Sequence, residues 1–258
     1  MRGLGLSEAL AVVIMVGVVL ALAVVFIIVS GINMASASAS VSLSQAKTTL
    51  VNIAQDLNAA VMSGVPYYSL SYPLPTTQFG VYNIVRDYCK LVVVSNTGAV
   101  VWSVTSDAVV FGVPPNYLTM PSGFHKVLFG NDSLIFNDTS SSFFGVSQLG
   151  AGSLGGVSYG TYVVLYPRVG VVKVNVTSSD VASSSAYVAY VFVPVIVARF
   201  NPTLPNLLVV NVTAPNMVPI ESQLYLKYTC GPIQPPPFNL TRYSKIEIVE
   251  IRVIIEYG

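Results

Sequence analysis

A run of 21 residues without a polar side chain, residues 9–29, constrains the fold of this chain more than any other feature. No charged residue lies between Glu8 and Lys47. As a helix the run would measure about 31 Å, close to the roughly 30 Å hydrocarbon core of a bilayer. Because lipid offers no partner for backbone N–H and C=O groups, a single segment crosses that core only as a helix. The run therefore predicts a membrane-spanning helix.

A cleaved secretory signal is the alternative interpretation of this run. Its apolar region would span about 7–15 residues and end at a small-residue cleavage site. The run in this chain is longer, although Ala35-Ser36-Ala37 formally resembles such a site. The length therefore favours a helix that stays in the protein.

The residues after the run continue a helical pattern. Apolar residues recur at near-helical spacing, with polar residues between them, at Leu43, Leu50, Ile53, Leu57 and Val61. Gly64 and Pro66 are plausible stop signals. We predict one helix over residues 6–63, apolar all round at 9–29 and amphipathic at 43–62, where one face packs on a head domain. A break near Gly31 or in the Ala-Ser stretch would instead give two helices.

Residues 66–258 have the composition of a β-domain, because short Val- and Tyr-rich runs alternate with Pro, Gly and Ser turns. The candidate strands are residues 79–86, 90–95, 99–105, 108–111, 125–129, 161–166, 169–176, 187–193, 195–200, 207–212, 223–229 and 245–257. Many short strands without intervening helices imply an antiparallel sandwich or barrel. The predicted fold class is therefore α+β, a long hydrophobic N-terminal helix followed by an antiparallel β-sandwich head.

Two candidate strands leave alternatives open. Pro194 either separates two strands or occupies an edge position within one longer strand. In the last strand the apolar residues change phase between Ile248 and Val249. A β-bulge at that point would keep both sets facing one core, whereas a regular strand would be partly buried on both faces.

The chain has two cysteines, Cys89 and Cys230, both in the β-region. An even number in an exported domain predicts one disulfide, which would close a very long loop. Five Asn-x-Ser/Thr sequons also lie in this region, where the composition would give about two by chance; they start at Asn131, Asn137, Asn175, Asn211 and Asn239. We predict these asparagines as glycosylation sites on an outward-facing surface, although Asn175 and Asn211 fall inside predicted strands.

The remaining residues offer little for catalysis. His125 is the single histidine, and no metalloprotease motif, nucleophile elbow or paired-carboxylate spacing is present. The glycine motif that starts at Gly150 precedes a strand rather than a helix, so we interpret it as a flexible surface loop and not as a phosphate site. Twelve Lys and Arg face eleven Asp and Glu without a basic run. We therefore expect no enzyme activity, no metal, no cofactor and no nucleic-acid partner.

The first eight residues, MRGLGLSE, place a basic residue and a glycine before the apolar run and one acid at its start. Arg2 favours the cytoplasmic side of the membrane, so residues 66–258 would be exported. In these features the chain resembles the type IV pilin superfamily, in particular archaeal adhesion pilins and archaellins. In that family a prepilin peptidase cuts after a small residue, often glycine, that follows a basic residue.

The resemblance implies cleavage between Gly3 and Leu4, with Gly5 and Leu6 as the alternative, and makes residues 1–5 a short basic leader. Glu8 would then be the fifth mature residue, where many bacterial pilins carry a glutamate that acts in assembly. A plain role for Glu8 is to stabilise the positive end of the helix dipole. The resemblance also implies an immunoglobulin-like head, because heads of archaeal members are commonly of that type.

The predicted function is that of a structural subunit of an extracellular helical filament, serving adhesion or motility. The helix would reside in the membrane before assembly and then pack against copies of itself, with help from the peptidase and the pilus assembly machinery. Gly17 and Ala21 would permit close approach between helices, and Val18 and Leu22 would pack in the fibre core. The alternative is a monomeric surface protein tethered by an uncleaved signal anchor.

Overall fold

The computed structural model describes residues 4–63, 68–74, 79–137, 141–176, 186–204, 207–220 and 224–257. Over these residues the chain forms one helix followed by sixteen strands. The elements are α1 (Leu4–Ser63), β1 (Tyr68–Pro73), β2 (Val81–Ser95), β3 (Val100–Val113), β4 (His125–Phe129), β5 (Ile135–Phe136), β6 (Phe144–Leu149), β7 (Gly152–Leu154), β8 (Val157–Tyr159), β9 (Thr161–Pro167), β10 (Val169–Val176), β11 (Ala186–Phe200), β12 (Leu207–Val212), β13 (Asn216–Ile220), β14 (Leu224–Cys230), β15 (Phe238–Asn239) and β16 (Lys245–Tyr257).

Helix α1 is continuous over 60 residues, a length of roughly 90 Å. It passes through Gly31 and the Ala-Ser stretch without a break. Along residues 10–63 of α1 the first fully buried side chain is that of Ala39, and from there a stripe of buried residues recurs every three or four positions. The stripe comprises Ala39, Leu43, Ala46, Leu50, Ile53, Ala54, Leu57, Ala60 and Val61. The second part of α1 therefore packs on the head, while residues 10–34 project beyond it.

The strands form two seven-stranded sheets and one small hairpin. The first sheet has the order β1-β12-β16-β11-β10-β5, with β13 also paired to β16. The second has the order β15-β14-β2-β3-β9-β6-β4, and β7 pairs with β8. The predicted α+β class is confirmed at this level: a long apolar N-terminal helix precedes a mostly antiparallel β-rich domain.

Two strand pairs depart from the predicted antiparallel arrangement. β11 runs parallel to β16, and β10 runs parallel to β5. Parallel neighbours need a long crossover connection. The segment between β11 and β16 supplies one, because it contains β12 to β15 before the chain returns in the same direction.

The buried side chains form two clusters. The inter-sheet core takes side chains from both sheets, among them Leu91, Val93, Val110, Val164, Val191 and Ile248. The helix core joins the buried stripe of α1 to strands of both sheets, among them Val109, Phe111, Val163, Leu165, Val210 and Val253. Neighbouring residues of β3 and β9 therefore face different cores, as the alternation of side chains along a strand requires.

Strand β16 contributes to both clusters. Ile246 and Ile248 belong to the inter-sheet core, whereas the helix core contains Val249, Ile251, Val253 and Ile255. Pairing with β11 continues from one end of β16 to the other without a register shift. The phase change between Ile248 and Val249 therefore marks a regular strand buried on both faces, not a β-bulge.

Pro194 lies inside the single strand β11, two residues beyond the last pair with β10 at Phe192. Further along this edge, the Ile196 N–H donates to Ser106 Oγ at 2.8 Å and the Ala198 N–H donates to Asp107 Oδ2 at 2.8 Å. N–H groups two residues apart point to the same side of a strand. Proline has no backbone N–H. At position 194 an N–H would face the edge of β11 that extends past the end of β10, so no hydrogen bond of the sheet is lost.

The interpretation of the segment around Gly150 as a flexible surface loop is wrong. All six residues of β6 are buried, and this strand pairs with β4 and β9. A Cβ at Gly150 would lie 1.7 Å from the carbonyl oxygen of Pro121, so the backbone is closely packed there. Only Gly155 and Gly156 form a turn, with φ of +57° and +82°, which suits the tight β7–β8 hairpin.

We expect Asp107→Ala to destabilise the head, because Asp107 joins the two sheets. Its Oδ1 accepts the N–H of Asp87 at 3.0 Å and its Oδ2 accepts the N–H of Ala198. Each donor left unsatisfied costs about 1–3 kcal/mol where it is buried. Denaturant unfolding of the detergent-solubilised chain should show a loss in this range. Asp132→Ala, at a side chain that is 79% exposed, is the control and should change stability by less than about 0.5 kcal/mol. Equal stability of the two variants would contradict the role of Asp107.

Candidate functional site

The exposed part of α1 is the strongest candidate for a functional surface. Its large apolar side chains from residue 10 to residue 29 are exposed on every side, from 50% at Val29 to 72% at Phe26. The segment is long and apolar enough to cross a membrane, and none of its most apolar 18-residue window is buried in the head. Such a helix suggests membrane association or a signal anchor.

The four residues predicted for helix packing lie on this surface. Val18 is 52% exposed and Leu22 is 64% exposed. A Cβ added at Gly17 would meet nothing within 4 Å, and Ala21 is exposed one turn further along the helix. Residues 17 and 21 lie on one row of the helix and residues 18 and 22 on the next, so together they form one continuous patch.

The predicted processing site is only partly within the described residues. Gly3 lies outside them. Leu4 is the first residue of α1, and Gly5, Leu6 and Glu8 follow in its first two turns.

Polar contacts fix the head on α1. The Tyr72 hydroxyl donates to Asp56 Oδ2 at 2.7 Å, and the Phe143 N–H donates to Asn58 Oδ1 at 2.8 Å. Burial, together with the nearby charge of Lys126, lowers the pKa of Lys47. The two hydrogen bonds lie beside the apolar stripe and orient the head on the helix.

The structure joins Cys89 and Cys230 in a disulfide between β2 and β14. The two residues stand directly opposite each other in the sheet, with Cα atoms 4.0 Å apart, and both are fully buried. The bond spans 141 residues of sequence. In the chain-entropy model a loop of this length stabilises the folded state by about 5 kcal/mol.

The five sequons fall into two structural groups. Asn131, Asn137 and Asn239 are exposed and lie in loops or at a strand end. Asn175 lies in β10, and Asn211 lies half-buried in β12 between β1 and β16. The asparagines of the first group are therefore more accessible to a glycosylating enzyme than Asn211 is.

The exposed Asn239 sequon also has a structural role, which a similar triplet outside the sequons shares. The Oδ1 atom of Asn239 accepts the Thr241 N–H at 2.8 Å and the Thr241 hydroxyl at 2.7 Å. Asn201 makes the same two contacts with Thr203, at 3.1 and 2.7 Å, although Pro202 excludes this triplet from the sequons. Turn formation by the asparagine side chain therefore accounts for part of the excess of Asn-x-Ser/Thr triplets.

Arg168 holds the Asn131 sequon in place, and the sequence analysis missed it. Its side chain is fully buried and stacks on Phe136, 4.9 Å from the ring centroid. Its Nε donates to the Ser133 carbonyl at 2.7 Å, its Nη1 donates to the Ser142 carbonyl at 2.7 Å, and its Nη2 donates to Asn131 Oδ1. The sequence offers one signal for this role, a single arginine between two apolar strands. A buried arginine must be hydrogen-bonded.

The chain matches no protein-family model, no curated protein and no solved structure. Among the described residues, no group of three or more His, Cys, Asp or Glu side chains could hold a metal ion. The function must therefore be inferred from the exposed helix and its attachment to the head.

We expect the head to unfold in alkali, because several tyrosines are buried. Burial raises the pKa of Tyr82 to about 12 and raises the pKa of Tyr88 and Tyr228 further. An unfolded chain ionises its tyrosines near pH 10. The stability that depends on neutral phenols is therefore complete below about pH 10 and is lost as the pH rises through the folded-state pKa values. Tyrosinate absorbance should rise together with the loss of circular dichroism.

Tyr228→Phe is the control for this experiment. It removes one buried phenol and the hydrogen bond from its hydroxyl to the Pro167 carbonyl, 2.8 Å long. The variant should be less stable at neutral pH and lose less stability in alkali. Ionisation of all 15 tyrosines near pH 10 in a head that stays folded would contradict the effect of burial.

Proposed function

We propose that this chain is a filament subunit of the type IV pilin superfamily, which polymerises outside the cell by packing its N-terminal helices together. The observation that supports this most is an unbroken helix whose apolar segment is exposed on every side and that continues into the head. The filament would serve adhesion or motility, and the subunit would lie in the membrane before assembly.

The hydrophobic effect gives the reason for polymerisation. Removing a Val, Leu, Ile or Phe side chain from water stabilises by about 1.5–3 kcal/mol. The head covers none of the most apolar part of α1, so this surface requires lipid or another apolar partner. Once a subunit leaves the membrane, helices of other copies can provide the same cover.

The continuity of α1 favours a polymer over a tether. Residues 10–34 extend over roughly 37 Å beyond the packed part of the helix. Since α1 has no break at Gly31, the head and the apolar segment are joined as one rod. A rod of this kind can repeat with a fixed rotation and rise, and such head-to-tail contacts generate an open helix. A monomeric surface protein has no need for this rigidity.

The start of the chain supplies the further parts of the proposal. Cleavage after Gly3 would free an amine close to Glu8, and the carboxylate of one subunit could pair with the amine of the next. Such pairing would offset the cost of burying a charge in an apolar fibre. We also propose an immunoglobulin-like head, supported by two seven-stranded sheets with a shared core. The parallel β11–β16 pair departs from the usual antiparallel form of that fold.

We expect Val18→Asp to abolish filaments and to leave the protein in the membrane. A central Asp costs about 2.5–3.5 kcal/mol on insertion, whereas each Leu, Ile, Phe or Val contributes about −0.3 to −0.6 kcal/mol, so the segment still inserts. In a fibre core the same carboxylate meets several helices at once and has no water. Filaments sheared from cells are counted by negative-stain electron microscopy, and the membrane fraction is measured by immunoblot.

Val100→Asp is the matched control, because Val100 is 62% exposed on the head. This variant should form filaments in normal number. Intact filaments from the Val18 variant would contradict packing through α1. If wild-type cells release no fibres and the mass of the N-terminal peptide shows an intact Met1, the tethered monomer replaces the proposal.

A further inference from the structure

The head contains a groove of ≈ 770 Å³ that is separate from α1. It lies where the loop before β4, the β7–β8 hairpin and the turn after β14 meet. Its apolar lining includes Leu149, Tyr162 and Ile233. On its polar side the Nδ1 atom of His125 lies 3.9 Å from the Oδ1 atom of Asp132. Its volume is within the usual range for small-ligand sites.

Backbone hydrogen bonds hold two walls of the groove together. The Gly150 N–H donates to the Phe124 carbonyl at 2.9 Å, and the Ala151 N–H donates to the Met120 carbonyl at 3.0 Å. These bonds fix the loop before β4 against the chain that leads into β7, so two walls of the groove keep their relative position.

The chemistry of the lining selects among ligand classes. None of the described residues that line the groove is Lys or Arg, so a phosphate or another anion has no cationic partner. His125 and Asp132 alone provide too few ligands for a metal ion. The lining does combine a carboxylate that accepts, an imidazole and a Ser153 hydroxyl that donate or accept, and aromatic surface from Phe124, with Tyr162 buried at the base of the groove.

We propose that this groove binds a pyranose ring of a neutral carbohydrate. The C–H face of the ring packs on aromatic carbon through dispersion, and its hydroxyls donate to Asp132 and accept from His125. Such a ligand is itself uncharged and uses both donors and acceptors, which the groove offers. The binding itself does not depend on polymerisation; only the role of the site in adhesion rests on the proposed function.

Gly152 provides a sharp test of the site. A Cβ at Gly152 would lie 3.4 Å from Cε1 of Tyr162, an ordinary contact, and the residue does not have a left-handed φ. The backbone at Gly152 thus accepts a Cβ, and the side chain of Gly152→Val would fill the part of the groove beside Tyr162. Asp132→Asn removes the charge of the acceptor and keeps the shape of the side chain.

Binding is measured by saturation-transfer NMR on the full chain in detergent, with methyl glycosides of glucose, mannose and galactose as probes. We expect transfer to at least one glycoside, a loss of about tenfold or more with Gly152→Val, and a several-fold loss with Asp132→Asn. Val100→Asp, away from the groove, should bind as the wild type does.

The absence of transfer from every glycoside, before and after removal of the protein's own glycans, would overturn the site. So would equal binding by the Gly152→Val variant, because the contacts would then lie elsewhere. Binding by the untreated protein indicates a carbohydrate from the surroundings. Binding only after deglycosylation indicates that a glycan carried by the protein itself fills the groove. Since these readouts use solubilised monomer, a failure to form filaments leaves them unaffected.

Discussion

The removal of an apolar helix from water is the constraint on which the rest of this molecule depends. Residues 9–29 carry no polar side chain, and the head leaves them uncovered. The hydrophobic effect is not directional, so lipid tails and the side chains of other helices can both satisfy the segment. The backbone hydrogen bonds of the helix form in both surroundings, because each interior N–H donates to a carbonyl oxygen of the same helix. A change of surroundings therefore alters only side-chain packing and leaves the backbone of the rod intact.

The head has a different requirement. Polar backbone groups among its buried strands need hydrogen-bond partners. Asp107 and Ser106 close the open edge of β11 with side-chain acceptors, next to a proline that needs none. Arg168 supplies donors to the carbonyls of Ser133 and Ser142, in a segment with little regular structure. A buried donor or acceptor without a partner costs more free energy of folding than a formed hydrogen bond contributes. These few residues therefore supply hydrogen-bond partners to backbone groups that the strand ladders leave open.

Most of what the sequence could predict follows from local periodicity. The apolar run and the stripe from Leu43 to Val61 predict the helix, and strands such as β4, β10, β12 and β16 have the bounds expected from their apolar runs. β6 was missed because Gly145 and Ser147 interrupt its apolar pattern. Yet Gly145 leaves room for the ring of Tyr166, and Ser147 shares a hydrogen bond with that hydroxyl. Such compensation depends on a strand about twenty residues away in sequence, so no local pattern contains it.

The disulfide, the parallel strand pair and the groove were harder to predict from the sequence, because each joins residues that are far apart in the chain. Export and an even count favoured a bond between Cys89 and Cys230, but their positions opposite each other follow from the β2–β14 register. The parallel partnership of β11 and β16 depends on a crossover of more than forty residues, and the groove depends on three loops far apart in sequence. The helix was predictable because its exposure to lipid or to other helices follows from its local apolar composition. The sites on the head depend on how the strands pair.

The Ala-Ser stretch explains how one helix can serve both parts of the molecule. Between the exposed apolar segment and the buried stripe, residues 35–40 are only Ala and Ser, and burial begins within them at Ala39. Small side chains bury little apolar area and carry no charge, so this part of the rod tolerates headgroups, water or a neighbouring subunit at similar cost. A charged residue here would favour water, and a large apolar residue would favour lipid. The composition of this stretch thus permits the position of the head relative to its surroundings to change while the helix stays straight.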